Sequence, residues 1–121
     1  MKTTKKDFEL FQKECRRWQD ILGLKDWEIV CVHGQTDSDN LAEYQSNGAG
    51  RICTIYFTDD WGNDHRVKDA RSVKQTAFHE VAELLLVELR NMALQHASWE
   101  RVDGATHKVV RTLENVLFPE Y

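Results

Sequence analysis

The sequence predicts an α+β domain in which a small three-stranded sheet is covered by a leading helix, a core helix that carries the candidate site, and a C-terminal helix. Three observations support this fold. Apolar residues recur at helical spacing near the start of the chain, β-branched residues concentrate over residues 27–57, and two more apolar stripes at helical spacing follow. The order helix, three strands, helix, helix is typical of helices packed over one face of a sheet.

Length and composition are those of one folded domain. The chain has 121 residues, of which 41% are hydrophobic and 30% charged, a balance that excludes a disordered chain and allows one modest core. We therefore expect a single domain over residues 1–121. The three cysteines form no CxxC pair and have apolar neighbours, so we expect reduced thiols in the core.

Charge and hydropathy exclude two kinds of partner. The net charge is −4, whereas a nucleic-acid-binding surface concentrates positive charge. No apolar run approaches the roughly 18 residues of a membrane span, and the first residues lack the apolar core of a signal peptide. We expect a cytoplasmic protein that binds neither nucleic acid nor membrane, and its oligomeric state stays open.

The first helix is predicted to begin after Thr4, which forms a capping box with Asp7 three residues later. Gly23 ends the segment as a C-terminal glycine does. Between them, one face is apolar and is interpreted as core packing rather than as a cofactor site. This stripe consists of Phe8, Phe11, Cys15, Trp18 and Leu22.

Three strands are predicted after this helix. Residues 27–33 are short and rich in β-branched side chains. Residues 41–46 and 51–57 flank the segment 47–50, Asn-Gly-Ala-Gly, which is typical of a hairpin turn. The second arm, 51–57, is the strongest strand prediction because β-branched and aromatic residues dominate it.

Two helical segments complete the chain. Ser72 and Gln75 have capping-box spacing, which predicts a helix from Ser72 to about His96. A last helix is predicted over about 103–118, and Pro119 ends it. The first of these helices is expected to be central to the core, because its apolar residues form one stripe of Phe78, Val81, Ala82, Leu85, Leu89 and Met92.

The core helix carries the sequence His79-Glu80-Val81-Ala82-Glu83. His79 and Glu83 are four residues apart on one helix face, and zinc binds both imidazole and carboxylate ligands. Glu80 projects about 100° round the helix from His79, beside such a metal, where a general base takes a proton from an activated water. The alternative is that both glutamates are exposed or paired with an arginine. The apolar neighbours favour the metal, since buried carboxylates need a compensating cation.

A catalytic zinc site needs a third protein ligand and one open position. His107, early in the last helix, is the best candidate, because this helix can pack against the core helix; an ordinary surface histidine is the alternative. Arg111 and Glu114 follow at helical spacing as residues that orient a ligand, and Glu114 is also an alternative ligand. Glu100 and Asp103, before the predicted helix, are reserve ligands.

In their order along the chain, these segments resemble a minimal zincin-type metallopeptidase of the small, phage-associated kind called minigluzincin-like. The resemblance implies His79 as a metal ligand and Glu80 as the catalytic base. The chain departs from the family pattern at Glu83, where histidine is common, and at His107, where gluzincins have glutamate. The resemblance covers nearly the whole chain and is carried by Leu22-Gly23-Leu24, Asp26-Trp27-Glu28-Ile29, Gly50-Arg51-Ile52-Cys53-Thr54-Ile55, Phe78-His79-Glu80-Val81 and Val109-Val110-Arg111-Thr112-Leu113-Glu114-Asn115.

The resemblance implies a peptidase that holds one zinc ion, or another divalent metal, and cleaves a peptide or protein substrate. In such folds the edge strand beside the site helix receives the substrate backbone by strand addition. Residues 51–57 are the counterpart here, with Ile52, Thr54 and Tyr56 as the substrate-binding positions. Two alternatives stay open: a module that binds metal without catalysis, and a metal-free interaction protein of phage origin.

Overall fold

The computed structural model describes residues 2–36, 41–47, 50–62 and 69–119, and parts of the predicted loops near residues 34–40, 47–50 and 58–65 lie outside them. Within the described residues, the fold is α+β, with one three-stranded sheet and four helices, which confirms the predicted fold class. The elements in chain order are α1 (Lys5–Ile21), β1 (Glu28–Gly34), β2 (Ala42–Asn47), β3 (Ile52–Thr58), α2 (Ala70–Leu85), α3 (Val87–Ala93) and α4 (Trp99–Leu117).

Helix α1 begins where the sequence predicts. The Thr4 hydroxyl accepts a hydrogen bond from the backbone N–H of Asp7 at 3.1 Å, and the Asp7 carboxylate accepts one from the N–H of Thr4 at 2.8 Å. The buried face packs on two other elements. Phe11 stacks on Phe57 of β3 with ring centroids 4.7 Å apart, and Trp18 meets the ring of Phe78 in α2 edge-on, also at 4.7 Å. Helix α1 therefore links the sheet to α2.

The sheet has the order β1-β3-β2, in which β3 is parallel to β1 and antiparallel to β2. The β2–β3 pairing, with Asn47 opposite Ile52, confirms the predicted hairpin. The prediction that residues 51–57 form an edge strand is wrong. Because β1 pairs with the second edge of β3, this strand is central and its backbone groups are already bonded on both sides.

The proposed substrate-binding positions on β3 also lie on the wrong face. Cys53, Ile55 and Phe57 are fully buried against the helices. Ile52, Thr54 and Tyr56 alternate with them and lie on the opposite face of the sheet, beside the exposed Val30 and Val32 of β1. Neither their backbone nor their side chains can therefore bind a substrate at the helix-covered face.

Helix α2 begins at Ala70, two residues before Ser72. Asp69 is the N-cap, and its carboxylate accepts a hydrogen bond from the backbone N–H of Ser72 at 2.9 Å. Ser72 is thus in the first turn of the helix and does not cap it. Asp69 and Ser72 are both good capping residues, so the sequence offers two start points.

The predicted helix over 72–96 is divided at Leu86. The N–H of Leu86 donates to the carbonyl of Glu83, three residues back, at 3.1 Å, and this tighter turn changes the phase of the apolar stripe. Val81 and Ala82 before the break are buried as predicted, whereas Leu85, Leu89 and Met92 are exposed. The prediction that these three residues belong to the core is wrong.

Helix α4 begins at Trp99, four residues before the predicted start, with Ser98 as its N-cap. Glu100 and Asp103 therefore lie within the helix and not in a linker. Its buried residues are Val102, Thr106 and Val110, and it packs against α2 and α3. Among the described helices, none combines the length and apolarity needed to cross a membrane.

We predict that Phe11→Ala lowers the free energy of unfolding by about 3–5 kcal/mol, because it removes a fully buried ring from the contact between α1 and β3. Leu89→Ala is the control, since this side chain is 65% exposed, and its effect should stay within about 0.5 kcal/mol. Urea denaturation of both variants measures the difference. Equal effects would contradict the described core.

Candidate metal centre

Three side chains from two helices meet beside the sheet. His79 and Glu83 lie one turn apart on α2, and His107 comes from α4. Nε2 of His79 is 3.2 Å from Oε1 of Glu83, and Nε2 of His107 is 3.3 Å from the same oxygen. One ligand atom from each residue lies within 4.8 Å of the other two. The convergence expected from the sequence is therefore present in the structure.

This donor set fits a divalent cation. A tetrahedral zinc ion with bonds of about 2.0–2.1 Å places neighbouring ligand atoms roughly 3.3 Å apart, close to the two distances measured to Glu83. Two imidazoles and one carboxylate are also ligand types that zinc accepts. Glu83 is 7% exposed, so its charge is largely removed from water and is compensated by what lies beside it.

The other ring nitrogen of each histidine is held by an oxygen acceptor. Nδ1 of His79 contacts the Glu114 carboxylate, which also accepts a hydrogen bond from Gln75 at 3.1 Å. Nδ1 of His107 lies 3.0 Å from the carbonyl oxygen and 3.4 Å from the carboxylate of Asp103. Because these oxygens only accept, each Nδ1 bears a proton and each Nε2 is directed at the shared point. Histidines that bind metals are commonly oriented in this way.

Carboxylates control the protonation of His79 in the metal-free protein. Burial lowers the pKa of His79, but the hydrogen bonds with Glu114 and Glu83 outweigh burial and raise this pKa to about 10. Burial raises the pKa of the Glu114 carboxyl group. Its hydrogen bonds with His79 and Gln75 outweigh this effect, so the pKa of Glu114 is lowered. At neutral pH the imidazolium of His79 therefore lies between two carboxylates.

Glu80 is the buried titratable group that this network leaves unsatisfied. It is 6% exposed, and among the described residues its Oε2 has no hydrogen-bond partner. Burial and the nearby charge of Glu83 raise the pKa of Glu80 to about 8. A carboxyl group with a pKa near neutrality, at the wall of a cavity, is suited to proton transfer.

A cavity of about 260 Å³ opens beside Glu80 and His79. Its wall combines the first half of α2, the end of α4 and the start of β2, which is an edge strand. The lining residues are Leu41, Ala42, Ser72, Gln75, Thr76, His79, Glu80 and Glu114. The cavity therefore reaches from the start of β2 to Glu80 and His79, whereas Glu83 and His107 are not among its lining residues.

The remaining candidates from the sequence have other positions. Arg111 is exposed, and its charge contributes to the lowered pKa of Glu114. Glu100 is exposed on α4, while Asp103 lies behind His107 and not among the ligand atoms. The other histidines are not candidate ligands. His33 contacts the Thr3 hydroxyl at 2.6 Å, His96 follows α3, and residue 65 lies outside the described part of the chain.

Two residues of the site were not found from the sequence. Gln75 donates a hydrogen bond to Glu114. It lies four residues before His79 on the same helix face, and this spacing could have indicated its place in the site. Arg90 donates to the Asp103 carboxylate at 2.9 Å. No sequence pattern indicates this contact, because it depends on the break between α2 and α3.

Comparison with protein-family models, curated proteins and solved structures finds no match for this chain. The resemblance to zincin-type metallopeptidases therefore stays a prediction from the sequence motifs.

We predict that Glu80→Gln stabilises the metal-free protein in a pH-dependent way. A carboxyl whose pKa rises from 4.5 unfolded to about 8 folded favours folding only while protonated, so its contribution is lost as the pH rises between these values. The variant should match the parent below pH 4.5 and exceed it by on the order of 5 kcal/mol at pH 8.5.

Denaturation in the presence of a chelator, repeated across this pH range, measures the difference. Glu88→Gln is the matched control, because Glu88 is exposed on α3 and should show no such trend. A gain for Glu80→Gln that is the same at pH 4.5 and pH 8.5 would contradict the assigned environment of Glu80.

Proposed function

We propose that this protein is a zinc-dependent hydrolase that cleaves peptide bonds. The observation that carries the proposal is the convergence of His79, Glu83 and His107 on one point, next to a buried glutamate with an unpartnered oxygen. A structural role alone accounts for buried ion pairs. A bound cation accounts in addition for two imidazoles that both direct Nε2 at one carboxylate oxygen while oxygen acceptors hold both Nδ1 atoms.

The proposed metal ligands are His79, Glu83 and His107. Three protein ligands leave one tetrahedral position of a zinc ion open, as catalytic zinc sites require. Mixed nitrogen and oxygen ligands favour zinc over magnesium and calcium, which prefer oxygen ligands alone. Glu114 and Asp103 are the proposed orienting residues, because each holds the Nδ1 side of one histidine.

Glu80 is the proposed general base and acid. A zinc ion in the site supplies the Lewis acidity that polarises a substrate carbonyl and lowers the pKa of water. Glu80 accepts the proton of the attacking water at its unpartnered Oε2. It then donates this proton to the departing amine nitrogen, which leaves as a neutral amine. Burial supports the second step, because a raised pKa makes the protonated form accessible near neutral pH.

The choice of a peptide substrate is based on the resemblance of the motifs and on one feature of the sheet. Leu41 and Ala42 connect the cavity to β2, which lies at the edge of the sheet. An extended peptide that pairs with an edge strand gains backbone hydrogen bonds without a deep specificity pocket. In this proposal β2 takes the role that the resemblance implied for residues 51–57.

We predict that the protein binds one zinc ion and that His79→Ala or His107→Ala weakens this binding. Loss of a residue that only orients a ligand costs roughly 10–100-fold in metal affinity, and loss of a ligand itself should cost more. His96→Ala is the matched control, since His96 is an exposed histidine outside the site. Titration calorimetry against a competing chelator, on untagged protein, measures the affinities. Equal affinities for the parent and both site variants would exclude the proposed ligands.

We predict that Glu80→Gln lowers the rate of peptide hydrolysis by roughly 10²–10⁴-fold, since general acid–base catalysis contributes that much, while zinc content stays at the parental level. Glu88→Gln should retain the parental rate. A library of quenched fluorescent peptides measures hydrolysis, and elemental analysis measures zinc. Stoichiometric zinc with no cleavage by any protein in the set would instead identify a metal-binding module without catalysis.

A further inference from the structure

A second cavity, of about 500 Å³, lies between α3 and α4. None of its lining residues also lines the cavity at Glu80. We call it the α3–α4 groove. Apolar side chains make up most of its wall: Leu86, Leu89, Ala93, Ala97, Val102, Ala105 and Val109. The break at Leu86 exposes part of this surface, because the residues that follow it no longer continue the buried face of α2.

Exposed apolar side chains extend beyond the groove on both helices. Met92 follows Leu89 by three residues on α3, and both are at least 60% exposed. On α4, exposed Leu113 and Val116 follow Val109 by four and seven residues, the spacing of one helix face. An exposed apolar surface of this kind is a common mark of a protein interaction site.

The polar part of the groove is basic. Among the described residues that line it, Arg90, His96 and Arg101 are basic, Thr106 is uncharged and none is a carboxylate, although the chain as a whole has a net charge of −4. Arg90 already pairs with Asp103. Arg101 is exposed, and within the described residues no carboxylate pairs with it. The groove is therefore complementary to an apolar ligand that carries negative charge at its border.

We propose that the α3–α4 groove docks an amphipathic helix of a partner protein, with acidic residues beside its apolar face. Helix-in-groove recognition places apolar anchors at helical spacing into a cleft of this kind, and acidic flanks complement Arg101 and His96. The proposal goes beyond hydrolase activity and does not depend on it.

Two other occupants fit less well. A second copy of this chain, related by a twofold axis, brings the same basic residues towards each other. A small anionic amphiphile can fill the cavity, but it leaves the apolar rows at Met92, Leu113 and Val116 uncovered. The helix covers both the cavity and the rows, which is why we commit to it.

The test selects binders of the 121-residue chain from displayed helical peptides. Apolar residues are fixed at helical spacing, and the flanking positions are randomised. We expect enriched peptides to carry aspartate or glutamate at the flanks. Leu89→Asp and Arg101→Glu should each weaken their binding at least tenfold, as measured by fluorescence anisotropy. Neither residue belongs to the candidate metal centre, so zinc binding should not change.

Ile21→Asp and Arg16→Glu are the matched controls, since both residues are exposed on α1 outside the groove, and their affinity should equal that of the parent. Thermal melts verify that all four variants fold. Four results would overturn the proposal: no enrichment, enrichment of basic flanks, full affinity of the two groove variants, or a dimer in sedimentation that Leu89→Asp disperses. Displacement of the peptides by micromolar dodecanoate would assign the groove to a small amphiphile instead.

Discussion

The arrangement of α2 and α4 at the site depends on the contacts that the carboxylate of Glu83 makes with two histidines. This carboxylate is buried, it belongs to the core helix, and imidazoles from both helices approach the same one of its oxygens. A buried carboxylate without partners costs several kcal/mol, so the histidines satisfy a requirement of folding. The same contacts bring two nitrogens to 3.2 and 3.3 Å from one oxygen, and the proposed cation would take all three atoms as ligands. Stability and proposed function therefore depend on one group.

Local patterns in the sequence were enough to predict much of this structure. The capping box of Thr4 and Asp7 involves residues three apart, and the β2–β3 hairpin requires only a short turn. The pairing of His79 with Glu83 also follows from helix geometry alone. His107 required one step more, the expectation that the last helix packs on the core helix, and this long-range step agrees with the structure.

The wrong predictions concern features that depend on pairing between distant segments or on a single local hydrogen bond. The sequence of β3 indicates a strand but contains no signal that β1 pairs beside it, so its central position could not be predicted. The break at Leu86 is a change of one hydrogen bond within an apolar run that favours a continuous helix. Arg90 contacts Asp103 only because this break redirects the chain. The position of Gln75, four residues before His79 on the same helix face, indicates a place at the site, but the prediction did not include this residue.

The proton on His79 bears on the proposed metal binding. Hydrogen bonds with Glu114 and Glu83 stabilise the imidazolium of His79, so a cation that took Nε2 as a ligand would have to displace a proton from it. Under this proposal, uptake would exchange a proton for the metal ion, and acidic surroundings would oppose loading while alkaline surroundings would assist it.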